Sequence, residues 1–341
     1  MVAASLPLRP RGRSLPLAGA APRLPPRSAR VSLTDRCDLA CVYCRPSRAD
    51  GYLESRLDED AWRTMMHALI ASGVRRVRIT GGEPLLHPRV VERVAFVASL
   101  GIEDLALTTN ATRLRALALP LREAGLRRIT VSIDSLVPER FARITRGGDL
   151  ATVLDGVDAA LGAGFDEVKS NTVVLRGEND DELAAIVAWA SARGVVPRFI
   201  ELMRVGEGAR LPAEALVGAS EMRARLADLL EEVAGERDPD RGPARYVALR
   251  GAPRLRVGFI TGSTDTYCDA CDRLRVASDG VLRPCLATND GVAAKTLAEA
   301  GDVEGIVGAI ADAWAMKPDG ETWKGCTEST AADVSMRAIG G

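Results

Sequence analysis

The stretch Val31-Ser32-Leu33-Thr34-Asp35-Arg36-Cys37-Asp38-Leu39-Ala40-Cys41-Val42-Tyr43-Cys44 decides how this chain is read. Val31–Thr34 has the apolar and β-branched character of a short strand. Three cysteines spaced C-x3-C-x2-C follow it at once on one loop. Three thiolates so placed can surround one face of an iron–sulfur cubane, ligating three irons and leaving the fourth open. Zinc usually takes four ligands in pairs, and no fourth Cys or His lies nearby in the sequence. The two histidines, His67 and His87, are remote from the loop. His67 reads as helix surface and His87, beside Pro88, as a helix start.

Outward from this loop the chain alternates strand-like and helix-like segments. Strands are expected at Val31–Thr34, Val74–Thr80, Asp104–Thr109, Arg128–Ile133, Glu167–Leu175 and Arg198–Leu202. Helices are expected near 58–72, 88–100, 113–124, 150–164 and 180–193, the first opened by Asp58 with Glu59 and Asp60 in its first turn. Such alternation implies an α/β fold of parallel strands joined by right-handed crossovers, either an open doubly wound sheet or a barrel. After about residue 205 the rhythm breaks. A charged helix near 219–233, a hairpin (Tyr246–Arg250 and Arg254–Thr261) turning at Gly251-Ala252-Pro253, a second cysteine region and a helix near 301–316 follow.

At 341 residues, 47% hydrophobic and 27% charged, the composition excludes a disordered, fibrous or membrane-spanning chain. A core of this size needs no disulfide. The seven cysteines include two tight triplets, which reads as metal ligation in a reducing, cytoplasmic compartment. Residues 1–30 hold six arginines and no acid, so the remainder carries 39 Lys+Arg against 46 Asp+Glu, or −7. A net-acidic body argues against nucleic-acid binding and requires any anionic ligand to meet a local basic pocket. Residues 1–29 are Pro- and Arg-rich and read as a disordered extension, with a signal or transit peptide as alternatives. Residues 30–205 and 206–341 read as the main body and a C-terminal region.

The second expected strand ends in Thr80-Gly81-Gly82-Glu83-Pro84, which an ordinary β-to-α turn would also use. Taken with Cys37, Cys41 and Cys44, and with Tyr43 just before the last cysteine, it resembles the signature of the radical S-adenosylmethionine (SAM) superfamily. That resemblance implies a partial (β/α)6 barrel of the TIM type, a [4Fe-4S] cluster on the three cysteines, and SAM at the open iron. It further implies that an electron enters the sulfonium and that the resulting 5′-deoxyadenosyl radical takes a hydrogen from the substrate. Glycines let backbone approach the methionine part of SAM, and Glu83 can accept from its ammonium.

Cys268, Cys271 and Cys285 read C-x2-C-x13-C. They fit either a zinc site completed by a distant ligand, in a chain that is a binding module without catalysis, or a second cluster whose open iron binds a nucleobase nitrogen. Cys271-Asp272-Arg273-Leu274-Arg275 and Gly280-Val281-Leu282-Arg283-Pro284-Cys285 resemble the GTP 3′,8-cyclase family of molybdenum cofactor biosynthesis. Leu33–Cys37, Arg78–Leu85, Thr108–Asn110, Val131–Ser135, Asn171–Val174, Arg198–Glu201 and the Gly340-Gly341 end carry the same likeness.

The resemblance implies two [4Fe-4S] clusters, on Cys37, Cys41 and Cys44 and on Cys268, Cys271 and Cys285. It implies SAM contacts from Tyr43, Gly82, Ser132 and Met203. GTP contacts would come from Arg30, Arg78, Thr109, Lys169 and Arg273-Leu274-Arg275, with Gly340 and Gly341 entering the active site for catalysis. A lyase is expected, fed by an electron donor such as flavodoxin or ferredoxin and followed by cyclic pyranopterin monophosphate synthase, with a homodimer as its possible assembly. A paralogue acting on another nucleotide or a peptide is the alternative. Cys326 is left as a bystander thiol. The chain departs from the family in having Asp38 and Asp272 where Asn is common after Cys37 and Cys271, Arg45 for Met, Ala111 for Gly, and an unusual Ile260–Tyr267 stretch.

Overall fold

Along the first strands, arginines and small polar residues alternate with apolar ones, and that period of two sets the architecture. In the computed structural model the described residues are 24–45, 51–232, 236–237, 242–268, 270–320 and 336. The N-terminal part runs β1 (Ser28–Ser32), α1 (Glu59–Ala71), β2 (Arg76–Thr80), α2 (Val90–Ser99), β3 (Asp104–Thr109), α3 (Leu114–Glu123), β4 (Arg128–Ser132), α4 (Pro138–Thr145), α5 (Leu150–Gly162), β5 (Glu167–Val174), α6 (Leu183–Ala192) and β6 (Val196–Glu201). The C-terminal part adds α7 (Ala219–Arg225), β7 (Glu236–Arg237), β8 (Arg245–Leu249), β9 (Ala252–Ile260), β10 (Arg273–Val276), β11 (Val281–Arg283), β12 (Val292–Ala293), α8 (Lys295–Glu299) and α9 (Val303–Ala315).

All these strands belong to one sheet ordered β12-β11-β10-β1-β2-β3-β4-β5-β6-β9-β8-β7. The pairs from β10 through β1 to β6 and on to β9 are parallel, and only the outermost pairs are antiparallel. The sheet is therefore a partial barrel, as expected, but its parallel part is wider than six strands because the C-terminal region lends one strand to each edge. The expected hairpin exists as β8 and β9, turning at Arg250-Gly251 with Gly251 at φ +71°. The helix expected at 219–233 stops at Arg225, after which Leu230 bridges to Leu249. Helix α4 is not among the expected elements, although Pro138 at its first turn and Glu139 behind it are legible start signals.

One face of the strands from β10 to β4 feeds the main core, while β6, β8 and β9 bury Phe199, Val247, Val257 and Phe259 in a second one. Ala29 and Val31 of β1, Val77 and Ile79 of β2, Leu105 and Leu107 of β3, and Leu274 and Val276 of β10 pack with Met65, Met66 and Leu69 of α1 and Val94 and Val97 of α2. Each larger side chain buried this way contributes roughly 1.5–3 kcal/mol. The Asp58 cap, whose Oδ1 accepts from Ala61 N at 2.8 Å, adds about 1 kcal/mol to α1. No helix among the described residues is long and apolar enough to cross a membrane.

Candidate active site

The alternation that buries Ala29, Val77 and Leu274 turns their neighbours the other way, into the barrel. Register then aligns them. Arg275, Arg30 and Arg78 stand side by side across β10, β1 and β2, and Arg273, Ser28 and Arg76 form the row next to them. All six line one interior cavity, which Arg198 of β6 and Arg128 of β4 also face. Gly258 of β9, opposite Arg198, leaves it room, since a Cβ there would lie 2.8 Å from Arg198 Cγ.

Some of these cations are neutralised: Arg76 pairs with Asp272, and Arg128 pairs with Asp104 and, at 3.6 Å, with Glu167. Others meet hydroxyls, Arg78 Nη1 donating to Thr108 Oγ1 at 3.4 Å and Thr130 Oγ1 at 3.3 Å, and Arg198 Nη2 donating to Thr130 Oγ1 at 3.2 Å. Burial, then the Arg275, Arg78 and Arg273 charges, hold Arg30 well below the ordinary guanidinium pKa. Burial, followed by Arg198 and Arg128, pushes Arg78 down to about 9; burial and Arg273 push Arg275 down to about 10. They remain charged at neutral pH, so the cavity holds cations at close quarters and is complementary to a polyanion.

The cysteine triplets flank this cavity. Cys37, Cys41 and Cys44 follow the C-terminal end of β1, while Cys268 and Cys271 precede the N-terminal end of its parallel neighbour β10, with Cys285 just beyond β11. They therefore sit at opposite ends of the barrel, separated by roughly 16 Å for about five residues of strand. Burial pushes the Cys37 thiol up to about 12 and also raises Cys41, so each thiolate needs a cationic partner. At Cys271 burial opposes the thiolate, but Arg273, Lys317 and hydrogen bonds from Arg273 overcome it and bring the value down to about 6. Among the described residues no group of three Cys, His, Asp or Glu is placed to hold a single metal ion. A cubane's ligands bind three different irons and need no such convergence.

Around the first triplet, Tyr43 Oη donates to Asp134 Oδ2 at 2.7 Å, and both side chains line the cavity with Ser132, Asn171 and Met203. Asn171 Oδ1 is buried without a hydrogen-bond partner among the described residues, an acceptor left for a ligand's donor. The thiol donor set and this open acceptor fit an iron–sulfur cluster with SAM beside it.

The sequence matches the radical SAM superfamily over residues 31–190 and Molybdenum Cofactor Synthesis C over residues 196–323. It is 41% identical to the GTP 3′,8-cyclase of Pelotomaculum thermopropionicum over 297 residues, covering 85% of this chain and 90% of that protein. The GTP 3′,8-cyclase of Pseudomonas fluorescens is 40% identical over 296 residues, covering 85% and 88%. The chain belongs to the GTP 3′,8-cyclase family. At the level of fold it is similar to Streptococcus suis SuiB, with a TM-score of 0.59 at 14% identity over 84% of this chain and 68% of that one. Membership of the radical SAM superfamily carries with it a [4Fe-4S] cluster and SAM.

Within this family framework, several expected residues are placed otherwise than in the cavity wall. Leu274 is fully buried in the core, because the alternation that aims Arg273 and Arg275 inward aims it outward. Glu83 is 1% exposed, and its carboxylate already accepts from Leu85 N, Thr109 Oγ1 and Asn110 N at 2.7–2.9 Å. It ties the glycine loop to the end of β3 and occupies Thr109 in doing so. Gly82 packs against the cysteine loop itself, where a Cβ would lie 2.3 Å from Arg36 O. Lys169 is buried against Glu167 at 2.9 Å and donates to Tyr246 Oη at 3.2 Å. Gly340, Gly341 and Cys326 lie outside the described residues.

Other site residues escape sequence reasoning. Arg76, Arg128 and Arg198 are betrayed in sequence only by standing at alternate strand positions. Lys317, which donates to Arg273 O and Pro284 O at 2.8 Å beside the second triplet, carries no sequence signal. The unusual loop before Cys268 is held by Glu201, which accepts from Ser263 N at 2.8 Å and Thr264 N at 2.9 Å, while Gly262 packs on Met203. His87 accepts from Arg89 N just ahead of α2, close to the helix start expected of it, and the exposed His67 stacks edge-on with Phe96, as expected of a helix surface.

Proposed function

We propose that the chain is a SAM-dependent lyase that converts GTP to 3′,8-cyclo-7,8-dihydroguanosine 5′-triphosphate, the step at which molybdenum cofactor synthesis begins. The observation that carries this reading is the row Arg275–Arg30–Arg78 with Arg198, a cationic wall between two three-cysteine sets. A triphosphate would lie along that wall, since several guanidiniums converge and each can bind two oxygens. Cys37, Cys41 and Cys44 would hold one [4Fe-4S] cluster and Cys268, Cys271 and Cys285 a second, with the purine against the latter. When bound, the first cluster supplies the electron that cleaves SAM and so yields the radical initiator. Tyr43, Ser132, Asn171 and Met203 would position SAM, and the arginines would hold the ribose C3′ hydrogen within its reach. Met336 packs against Val205, Cys268, Leu286 and Ala287, which brings the chain five residues before Gly341 to the cavity and supports a role for the tail. The electron would come from a flavodoxin- or ferredoxin-like donor.

Anaerobic reconstitution tests the reading. About eight irons per chain are expected, four for each cluster, falling by half when Cys268, Cys271 and Cys285 are replaced together by Ala. GTP, SAM and reductant should give methionine, 5′-deoxyadenosine and the cyclised nucleotide in equal amounts. Deoxyadenosine without a cyclised guanosine product would point to another substrate.

A further inference from the structure

The hydrogen bonds around Cys37 do more than hold a loop. Asn110 follows β3, and its backbone N–H is fixed by Glu83 Oε2 at 2.7 Å. Its side-chain oxygen accepts from Thr112 N at 3.0 Å, so the amide nitrogen must face the other way. There Nδ2 donates to Asp38 Oδ1 at 2.7 Å and reaches Cys37 Sγ at 3.9 Å. Asp38 Oδ2 accepts from Thr112 Oγ1 at 2.6 Å, closing the ring. A carboxylate only accepts, so Asp38 fixes the amide's orientation and leaves its second N–H for the sulfur. The next residue, Ala111, is held at φ +65°, a left-handed conformation that costs a non-glycine residue free energy and persists only where its surroundings impose it.

We propose that Asn110, oriented by Asp38 and Thr112, donates a hydrogen bond to the Cys37 thiolate and that this triad sets the reduction potential of the first cluster. The inference rests on the reading that Cys37 ligates that cluster. An N–H donated to a ligand sulfur stabilises the more negative, reduced state, and a carboxylate nearby opposes it. The two residues are therefore antagonists: Asn110 raises the potential and Asp38 lowers it. The redox event is the addition of one electron from an external single-electron reductant, with no bond or proton changed in the protein.

The test is an anaerobic redox titration of the reconstituted, full-length protein, followed by electron paramagnetic resonance. The first cluster is identified as the signal that changes when SAM is added. Asp38→Asn keeps an acceptor for Asn110 but loses the charge, and should raise the potential. Asn110→Ala removes the donor and should lower it. Each change is expected to alter the ratio of reduced to oxidised cluster about tenfold at a fixed poise, or about 59 mV for a one-electron couple. Leu39 N–H also donates to Cys37. After exchange into deuterium oxide, Asn110→Ala should therefore lose one of the cluster-coupled deuterons that wild type and Asp38→Asn share, and keep the other. Shifts in the same direction, or no shift with iron content unchanged, would overturn the inference. If Asn110→Ala does not load a cluster, Asp38→Asn remains decisive, and no upward shift from it overturns the inference. A wild-type protein that binds no iron would instead defeat the functional reading itself.

Discussion

Replacing Arg30 with Met should make the metal-free protein more stable while destroying its affinity for polyphosphate. Arg30 faces Arg275 and Arg78 on the adjoining strands, and no carboxylate among the described residues pairs with it. Neighbouring strands lie about 4.8 Å apart, so guanidinium heads splayed to roughly 6–8 Å repel by about 2–3 kcal/mol per neighbour at an effective dielectric of about 20. Water in the cavity relieves part of this. Met keeps an unbranched stem that fills the same channel, and the net gain expected is about 1–3 kcal/mol, within the roughly 1–4 kcal/mol seen when buried ions give way to apolar residues. The assay is urea unfolding of reduced apoprotein, read as the midpoint shift at constant slope. Wild type should also gain about 2.7 kcal/mol from tripolyphosphate at about 100 times its dissociation constant, a gain Arg30→Met should mostly lose. Arg115→Met, which removes an exposed arginine paired with Asp155 at 2.6 Å, serves as the control and should stay within about 0.5 kcal/mol. If Arg30→Met destabilises by more than about 1 kcal/mol while the control is silent, Arg30 is compensated and the idea of a self-repelling wall fails.

Gly82→Ala should destabilise the apoprotein by about 2–4 kcal/mol and impair cluster loading. Its Cβ would meet Arg36 O at 2.3 Å and Asp35 O at 2.8 Å, backbone that carries Cys37 and cannot swing aside. By contrast Gly308→Ala, on an open face of α9, should be neutral or stabilising by up to about 1 kcal/mol by the same unfolding assay. Burial raises the Asp134 carboxyl from 3.8 to about 6, so the folded state holds its proton to higher pH than the unfolded chain. Relative to Asp134→Asn, wild-type apoprotein should therefore lose about 2–3 kcal/mol as pH rises from about 4 to about 6 and then level off; a flat difference curve would show that the hydrogen bonds from Tyr43 and Val173 N offset the burial.

Both cysteine triplets and Arg273 and Arg275 are legible in the sequence because chemistry-bearing residue types recur there at fixed spacing, whereas Arg30 and Arg78 come only with the family resemblance. The alternation rule that singles out Arg273 and Arg275 also predicts that Leu274 points away, and the structure shows that outcome. Glu83 looks like a ligand contact in the sequence because a glycine-rich turn is a local pattern, and Thr109 does so through the family resemblance. Their engagement with each other joins the loop after β2 to β3, across 26 residues, and no local pattern shows it. The same limit hides Lys317 and the ring of Asp38, Asn110 and Thr112, whose members are up to 74 residues apart. The helix expected to reach residue 233 fails for another reason. Its second half gives up helical hydrogen bonds so that Leu230 can bury itself beside Leu249, a tertiary contact overriding propensity.

The C-terminal region is best understood through where its strands attach. Had β10 formed a separate sheet, Arg273 and Arg275 would face their own surface, and the second triplet would have no fixed relation to the first. Parallel pairing with β1 removes that freedom. It places Arg275 beside Arg30, turns Leu274 into the core that Ala29 and Val31 already occupy, and aims the chain so that Cys271 sits at the end of the barrel opposite Cys37. The parallel register of β9 on β6 does the same at the other edge, putting Gly258 against Arg198 and leading directly into the loop that ends in Cys268. The apolar faces of these strands drive the docking, and the charged faces are carried into the cavity as a consequence. A barrel that concentrates cations in this way is less stable empty than filled, and a polyanionic substrate is what relieves it.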